Sequence, residues 1–234
     1  MITLRKSSER GYAHHGWLES WHSFSFADYQ DPAHVRFGPL RVINEDFVQP
    51  GSGFDTHGHR DMEILTYVLS GTLRHRDNMG SEGDIRHGEI QLMRAGSGVL
   101  HSEFNPSPDE VVHLLQIWIM PDAQGLRPGY WQKSVPLQHG QWSLLVSPDA
   151  AHDASDEALH IHQDARVSSA LLDGDETLDY PLAAGRRVYL HVARGSLTAN
   201  GIALNAGDAL MYTEENLVKL SAGTNAEILL FDLS

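Results

Sequence analysis

Two short histidine-containing pairs carry the chemistry legible in this sequence. In FDTHGHRDMEILTYVLSG, His57 and His59 stand two residues apart just before an apolar run, and alternation along a strand would put both imidazoles on one face. In GSGVLHSEFNP, His101 and Glu103 repeat that spacing. On neighbouring strands the two pairs would offer three imidazoles and one carboxylate to a single ion, with positions left open for water, substrate or dioxygen. The chain has no cysteine, which excludes disulfides, thiolate nucleophiles and zinc-finger sites and leaves nitrogen and oxygen as the only donors. Such donors suit one divalent transition metal, Fe, Mn, Co, Ni, Cu or Zn, without choosing among them.

Positioning these pairs requires strands. Segments rich in β-branched and aromatic residues recur between Gly, Pro, Asn and Asp punctuation, among them LRVIN, MEILTYVLSGTLRHR, EIQLMRA, VVHLLQIWIM, RRVYLHVARGSLTANG and AEILLFDL. That is the pattern of an all-β sandwich or barrel, and no stretch sustains a capped helical periodicity, so helices should be few and short. Residues 121–155 are rich in Pro, Gly, Asp and Ser, which suits connections and places a junction between domains 1–134 and 135–234. On either side a similar order appears: strand, turn, strand, then Gly with an acidic residue and another strand. ILTYVLSGTLRHR with HGEIQLMRAG matches VYLHVARGSLTANG with NAGDALMY, suggesting two related barrels.

The bulk charge narrows the partners. With 31 acidic against 17 basic residues, a net charge of −14 and no basic cluster, the field should repel phosphate backbones and anionic lipid, arguing against direct nucleic-acid contact. No apolar run approaches the ~18–20 residues that span a bilayer, and MITLRKSSER has no apolar segment behind its basic residues, so the expected location is cytoplasmic.

The stretch from Gly51 to Gly71, containing His57, His59 and Glu63, resembles the first signature of the cupin superfamily. Gly88 through Gly96 to His101 and Asn105 resembles the second. Two departures refine this: Glu63 falls one position before the usual acidic ligand, where Ile64 stands, and His101 lies two residues further from Gly96 than is common. Both departures resemble the pirin family, as do HGWLESWHSFSFADYQDPAHVRFGPLRVINED and PGSGFDTHGHRDMEILTYVLSG. The resemblance covers most of the chain and is strongest from Gly16 to Pro121.

It implies a bicupin, two jelly-roll-like β-barrels packed together. The N-terminal barrel would hold the metal through His57, His59, His101 and Glu103, Glu63 would not be a ligand, and the C-terminal barrel would be degenerate and metal-free. The residues agree on that last point: RRVYLHVARGSLTANGIALNAGDALMY keeps Gly195, Gly201 and Gly207 but has only His191 and no H-x-H at the matching place. Bacterial members imply quercetin 2,3-dioxygenase activity, in which a metal-bound flavonol takes up dioxygen, its heterocyclic ring opens and carbon monoxide leaves. Iron is the favoured ion by resemblance, and Glu103 the catalytic group that would take the 3-hydroxyl proton. The alternative, implied by eukaryotic members, is a non-enzymatic metal-dependent redox-sensing regulator acting through protein partners.

The remaining candidates have plainer readings. His160 and His162 in ALHIHQDARV lack a downstream glycine at strand distance and a partner His-x-Glu, so a surface or half-buried strand role is expected. His14, His15, His22 and His34 read as structural or as lining a cavity mouth. Glu63 reads equally as an acceptor for a ligand imidazole or as a salt bridge with Arg60 or another base. Trp17, Trp21, Phe24 and Phe26 read as core ahead of a substrate-pocket floor.

Overall fold

The computed structural model describes residues 1–152 and 158–234, which divide into two compact units, Arg10–Val135 and Met1–Glu9 with Pro136–Ser234. The architecture is the all-β cupin type, with helix among the described residues limited to the single 3-10 turn Ser7–Glu9. No helix among them is long and apolar enough to cross a membrane.

In Arg10–Val135 one antiparallel sheet has seven strands in the order Gly129–Ser134, Glu89–Arg94, Glu63–Ser70, Val112–Ile119, Leu40–Val48, Leu18–His22 and Gly11–His14. A second antiparallel sheet has four, in the order Gly53–His59, Val99–Phe104, Thr72–Asp77 and Glu82–Arg86. Apolar residues at alternate positions meet between them: Leu18, Val48, Val68, Val112 and Leu114 of the large sheet pack on Leu73 and Ile85 of the small one. Each fully buried aliphatic side chain contributes about 1.5–3 kcal/mol. The pairings among the described residues run as open sheets packed face to face, not as closed rings. EILTYVLS reads as a continuous apolar run because Glu63–Ser70 is buried on both faces up to Ser70.

The other unit is a nine-stranded sheet built around two long strands, Arg187–Ala199 and Leu217–Leu233. Their register shifts between Val192 and Thr198, and those bulges bend the sheet so that Val188, Leu190, Leu197, Leu220 and Ile228 share one core. Gly195 is required at that bend, because its φ is +67° and a Cβ would lie 2.3 Å from the carbonyl oxygens of Thr224 and Asn225. Strand Ile2–Arg5 pairs antiparallel with Ala209–Thr213, Leu4 opposite Leu210, and Ile2 and Leu4 pack on the same core. Met1–Glu9 therefore lies with Pro136–Ser234; an isolated N-terminal strand carries no local signal of which sheet edge it will join.

One buried ion pair ties two adjacent strands of the large sheet. Glu63 and Arg94 stand opposite each other on adjacent strands, with Arg94 Nε donating to Glu63 Oε1 at 3.1 Å and the guanidinium 4.8 Å above the Trp131 ring. Glu63 is fully buried. Replacing Arg94 with Leu should therefore lower the unfolding free energy by about 3–5 kcal/mol, and adding Glu63→Leu should recover most of that loss. Denaturant titration of the single and double variants checks it; equal stability of Arg94→Leu and wild type would remove the pair from this role.

Candidate metal centre

Strands Gly53–His59 and Val99–Phe104 run antiparallel with His57 directly opposite His101 and His59 opposite Val99. Directly opposed residues project to the same side, so the i, i+2 spacing of His57 and His59 and the pairing with His101 put three imidazoles together. Their ligating nitrogens lie within 4.8 Å of one another, and the ring centroids are 4.5–4.8 Å apart. Glu103 falls opposite Phe54 after a bulge that leaves an extra residue in the first strand. It joins a second group, His75, His101 and Glu103, within the same 4.8 Å limit. The four sequence-predicted residues thus form two groups that share His101.

The hydrogen bonds around the rings fix which nitrogens face inward. His57 Nδ1 lies 2.7 Å from the carbonyl oxygen of Asp55, in the bulge, and can only donate there. In the neutral ring, His57 Nε2 then carries the lone pair. His75 Nε2 lies 3.2 Å from Asp77 Oδ2 and likewise donates. His75 Nδ1 is then an acceptor for His101 Nδ1, 3.4 Å away, and His101 Nε2 keeps its lone pair as well. These two Nε2 atoms face each other at 3.1 Å. Two opposed lone pairs repel unless a cation sits between them. Metal–nitrogen bonds of ~2.0–2.1 Å place neighbouring donors about 2.9–3.4 Å apart for angles from square to tetrahedral, which brackets this separation. The residues fit a divalent ion, and the chain Asp77–His75–His101 is the outer support metal-bound imidazoles usually have.

Electrostatics favour neutral, coordinating rings. Burial pushes the His101 imidazole far below its usual value, with the charges of His57, His59 and His75 adding to the effect. Burial and then His57 lower His59 to about 4. Glu103 is raised to about 7, first by burial and, to a lesser degree, by Asp46; hydrogen bonds from Gln116 and Thr66 work against the rise. Gln116 Nε2 donates to Oε2 at 2.9 Å, and the Thr66 hydroxyl lies 3.3 Å from Oε1.

The centre forms part of the wall of a cavity of about 910 Å³ within Arg10–Val135, a volume in the range of small-molecule sites. His57, His59, Glu103 and Gln116 supply its polar end, and Trp17, Phe26, Tyr29, Phe54 and Trp118 supply aromatic walls. Trp17 packs edge-on to Phe54 at 5.0 Å, Phe26 edge-on to Trp118 at 5.5 Å, and Trp118 edge-on to His59 at 4.9 Å.

The N-terminal aromatic group therefore divides. Phe24 is core, Trp21 packs on Phe47 and Tyr12, and Trp17 and Phe26 face the cavity. His15 and His22 also line it, His22 donating from Nδ1 to Asn44 at 2.9 Å; His34 pairs with Asp31 and His14 is exposed. Glu63 takes the salt-bridge reading, with Arg94 in place of Arg60. His75, Asp77, Thr66 and Gln116 were not singled out from sequence. The signal for the first two is the i, i+2 spacing in TLRHRD, the strand paired with Val99–Phe104.

Fold and cluster together define the class: an all-β cupin of two units with a site for one divalent metal. The family described as Pirin matches residues 3–119, and the quercetinase C-terminal cupin domain matches residues 144–233. The chain belongs to the pirin family. It is 48% identical to the quercetin 2,3-dioxygenase of Escherichia coli strain K12, covering 100% of this chain and 99% of that one. It is 40% identical to a pirin-like protein of Caulobacter vibrioides over 99% of each. Among solved structures, the bacterial pirin YhhW of E. coli in complex with nickel(II) superposes with a TM-score of 0.93 at 47% identity, covering 100% of this chain and 99% of that one.

Replacing Asp77 with Asn keeps the turn contacts that Oδ1 makes with the Met79 and Ser81 amides and removes the acceptor for His75. Metal affinity, measured by competition with a chromophoric chelator, should fall about 10–100-fold with the fold intact. Unchanged affinity would break the proposed Asp77–His75–His101 support.

Proposed function

We propose that this chain is a metal-dependent quercetin 2,3-dioxygenase-type oxidoreductase, with His57, His59, His101 and Glu103 holding one divalent ion, iron by preference, at the polar end of the aromatic cavity. The observation that carries the reading is the juxtaposition itself: a three-histidine cluster, two of whose rings, His57 and His59, line a cavity large enough for a flavonol together with the buried Glu103 carboxylate and several aromatic rings. The family's relatives supply the substrate class. When bound, the ion supplies Lewis acidity and redox capacity at the site of the flavonol's oxygens.

The chain's own residues do the rest. Trp17, Phe26, Phe54 and Trp118 offer flat apolar surfaces that orient a planar polycyclic substrate and exclude water from its heterocyclic ring. Glu103 takes the 3-hydroxyl proton, with Gln116 and Thr66 holding its two oxygens in place. The heterocycle takes up dioxygen and opens, and carbon monoxide leaves. The unit containing Pro136–Ser234 has no catalytic part in this reading: at its cupin position stands His191, buried on Arg187–Ala199. The acidic chain is assigned to the cytoplasm, acting on a small molecule and dioxygen and not on nucleic acid or membrane.

The test is aerobic turnover of quercetin by iron-reconstituted protein, followed by loss of flavonol absorbance and release of carbon monoxide. His101→Ala should weaken metal binding by more than the about 10–100-fold typical of outer-shell losses and abolish turnover. Glu103→Gln should keep much of the metal and slow turnover about 10²–10⁴-fold. Metal bound without turnover would transfer the assignment to the regulatory reading, and equal metal content in wild type and His101→Ala would refute the site itself.

A further inference from the structure

A second histidine cluster lies in the other unit, away from its cupin position. We propose that His152, His160 and His162 form a second divalent-metal site, suited to a borderline cation such as Zn²⁺, Ni²⁺ or Cu²⁺ taken up from solution.

Their ligating nitrogens lie within 4.8 Å of one another, the same limit that the His57, His59 and His101 group meets. The resemblance extends to the placement of the i, i+2 pair. His160 and His162 have centroids 4.8 Å apart at 90°, against 4.8 Å at 79° for His57 and His59. The His152 ring closes the third side, 3.6 Å from His160 and 5.7 Å from His162. One half-buried pair at i, i+2 spacing plus one histidine from a separate segment is the arrangement of the first centre again.

The local backbone explains the convergence. Strand Leu159–His160 runs parallel to Ser143–Ser147, with His160 beside Ser147. Ile161 is fully buried, so its neighbours His160 and His162 turn to the opposite, outer side. The carbonyl of Ser147 accepts from the Ile161 amide at 3.2 Å and from the Ala150 amide at 3.4 Å, and the Ser147 hydroxyl accepts from the Asp149 amide at 3.1 Å. One residue therefore joins the turn leading to His152 to the strand that carries the other two. Ala150 completes the link by accepting from His160 Nδ1 at 3.0 Å. That bond assigns the proton to Nδ1 and leaves Nε2 as the coordinating atom, the tautomer His57 adopts against Asp55.

The donor set selects the cation. Three imidazoles without a carboxylate disfavour Mg²⁺ and Ca²⁺, which require oxygen, and favour the later first-row ions. His152 is exposed while the other two are half-buried, so the site opens to solvent. An ion there would bind the folded chain more tightly than the unfolded one and clamp the 147–152 turn to the strand.

The experiment is metal counting on chelator-stripped, zinc-reloaded full-length protein by elemental analysis, with His152→Ala and His162→Gln compared with wild type. Each variant should lose about one zinc per chain, with a lower zinc-induced rise in Tm, while quercetin turnover by the iron-reconstituted variants stays at the wild-type rate. His152→Ala changes an exposed residue, so its folding is secure. An unchanged zinc count in His152→Ala and His162→Gln would overturn the site and leave three imidazoles in mere packing contact. Because this count does not depend on flavonol chemistry, it stands or falls separately from the dioxygenase reading.

Discussion

The close approach of two imidazole nitrogens organises the first unit. His57 Nε2 and His101 Nε2 stand 3.1 Å apart, and the neighbours of both rings commit the protons to the far nitrogens. A pair of lone pairs held that close in a partly desolvated wall is unfavourable without a cation. Holding it needs rigid flanking strands, which explains why the small sheet pairs His57 directly with His101. It also explains the depth of support behind His101. His75 and Asp77 sit on the next strand, opposite Glu103 and His101 respectively, so hydrogen-bonded strand pairing positions the ligands and their supports in a single act.

The same constraint shapes the cavity. Polar groups inside a sandwich are costly unless paired, and here they are paired: Glu103 with Gln116 and Thr66, Ser20 with Asp46, His22 with Asn44. Aromatic rings lie between them, Phe26 against His22 and Trp118 against His59. Burial drives Asp46 up to about 7, with Glu45 adding to the rise and Ser20 opposing it, so the cavity interior tolerates little net negative charge despite an acidic chain.

The strands and the clustering of His57, His59, His101 and Glu103 are legible in the sequence because both rest on local rules. H-x-H and H-x-E in strands need only alternation, and EILTYVLS or VHLLQIWI need only apolar patterning. What stayed hidden depends on pairing between distant segments. The division of Trp17, Trp21, Phe24 and Phe26 between cavity and core is set by which strand each faces, and spacing does not encode it. Strand Ile2–Arg5 joins Ala209–Thr213 across more than two hundred positions of sequence, so no local feature assigns it to the second unit. Glu63 finds Arg94 because the two strands register there, where a local reading offers Arg60.

His160 and His162 show the limit most clearly. Read along the chain, they lack the downstream glycine and the second His-x-Glu pair that made His57 and His59 persuasive, and a surface or half-buried strand role follows. The third donor comes instead from His152 on a turn, held by hydrogen bonds to the carbonyls of Ser147 and Ala150 that no motif expresses. A cupin signature detects ligands that belong to the barrel's own strands. It is blind to a cluster assembled from a strand edge and its preceding turn, although the i, i+2 pair there has the same ring separation as His57 and His59. Geometry around each imidazole, above all which nitrogen is committed to a carbonyl, separates a coordinating histidine from a merely adjacent one in both places.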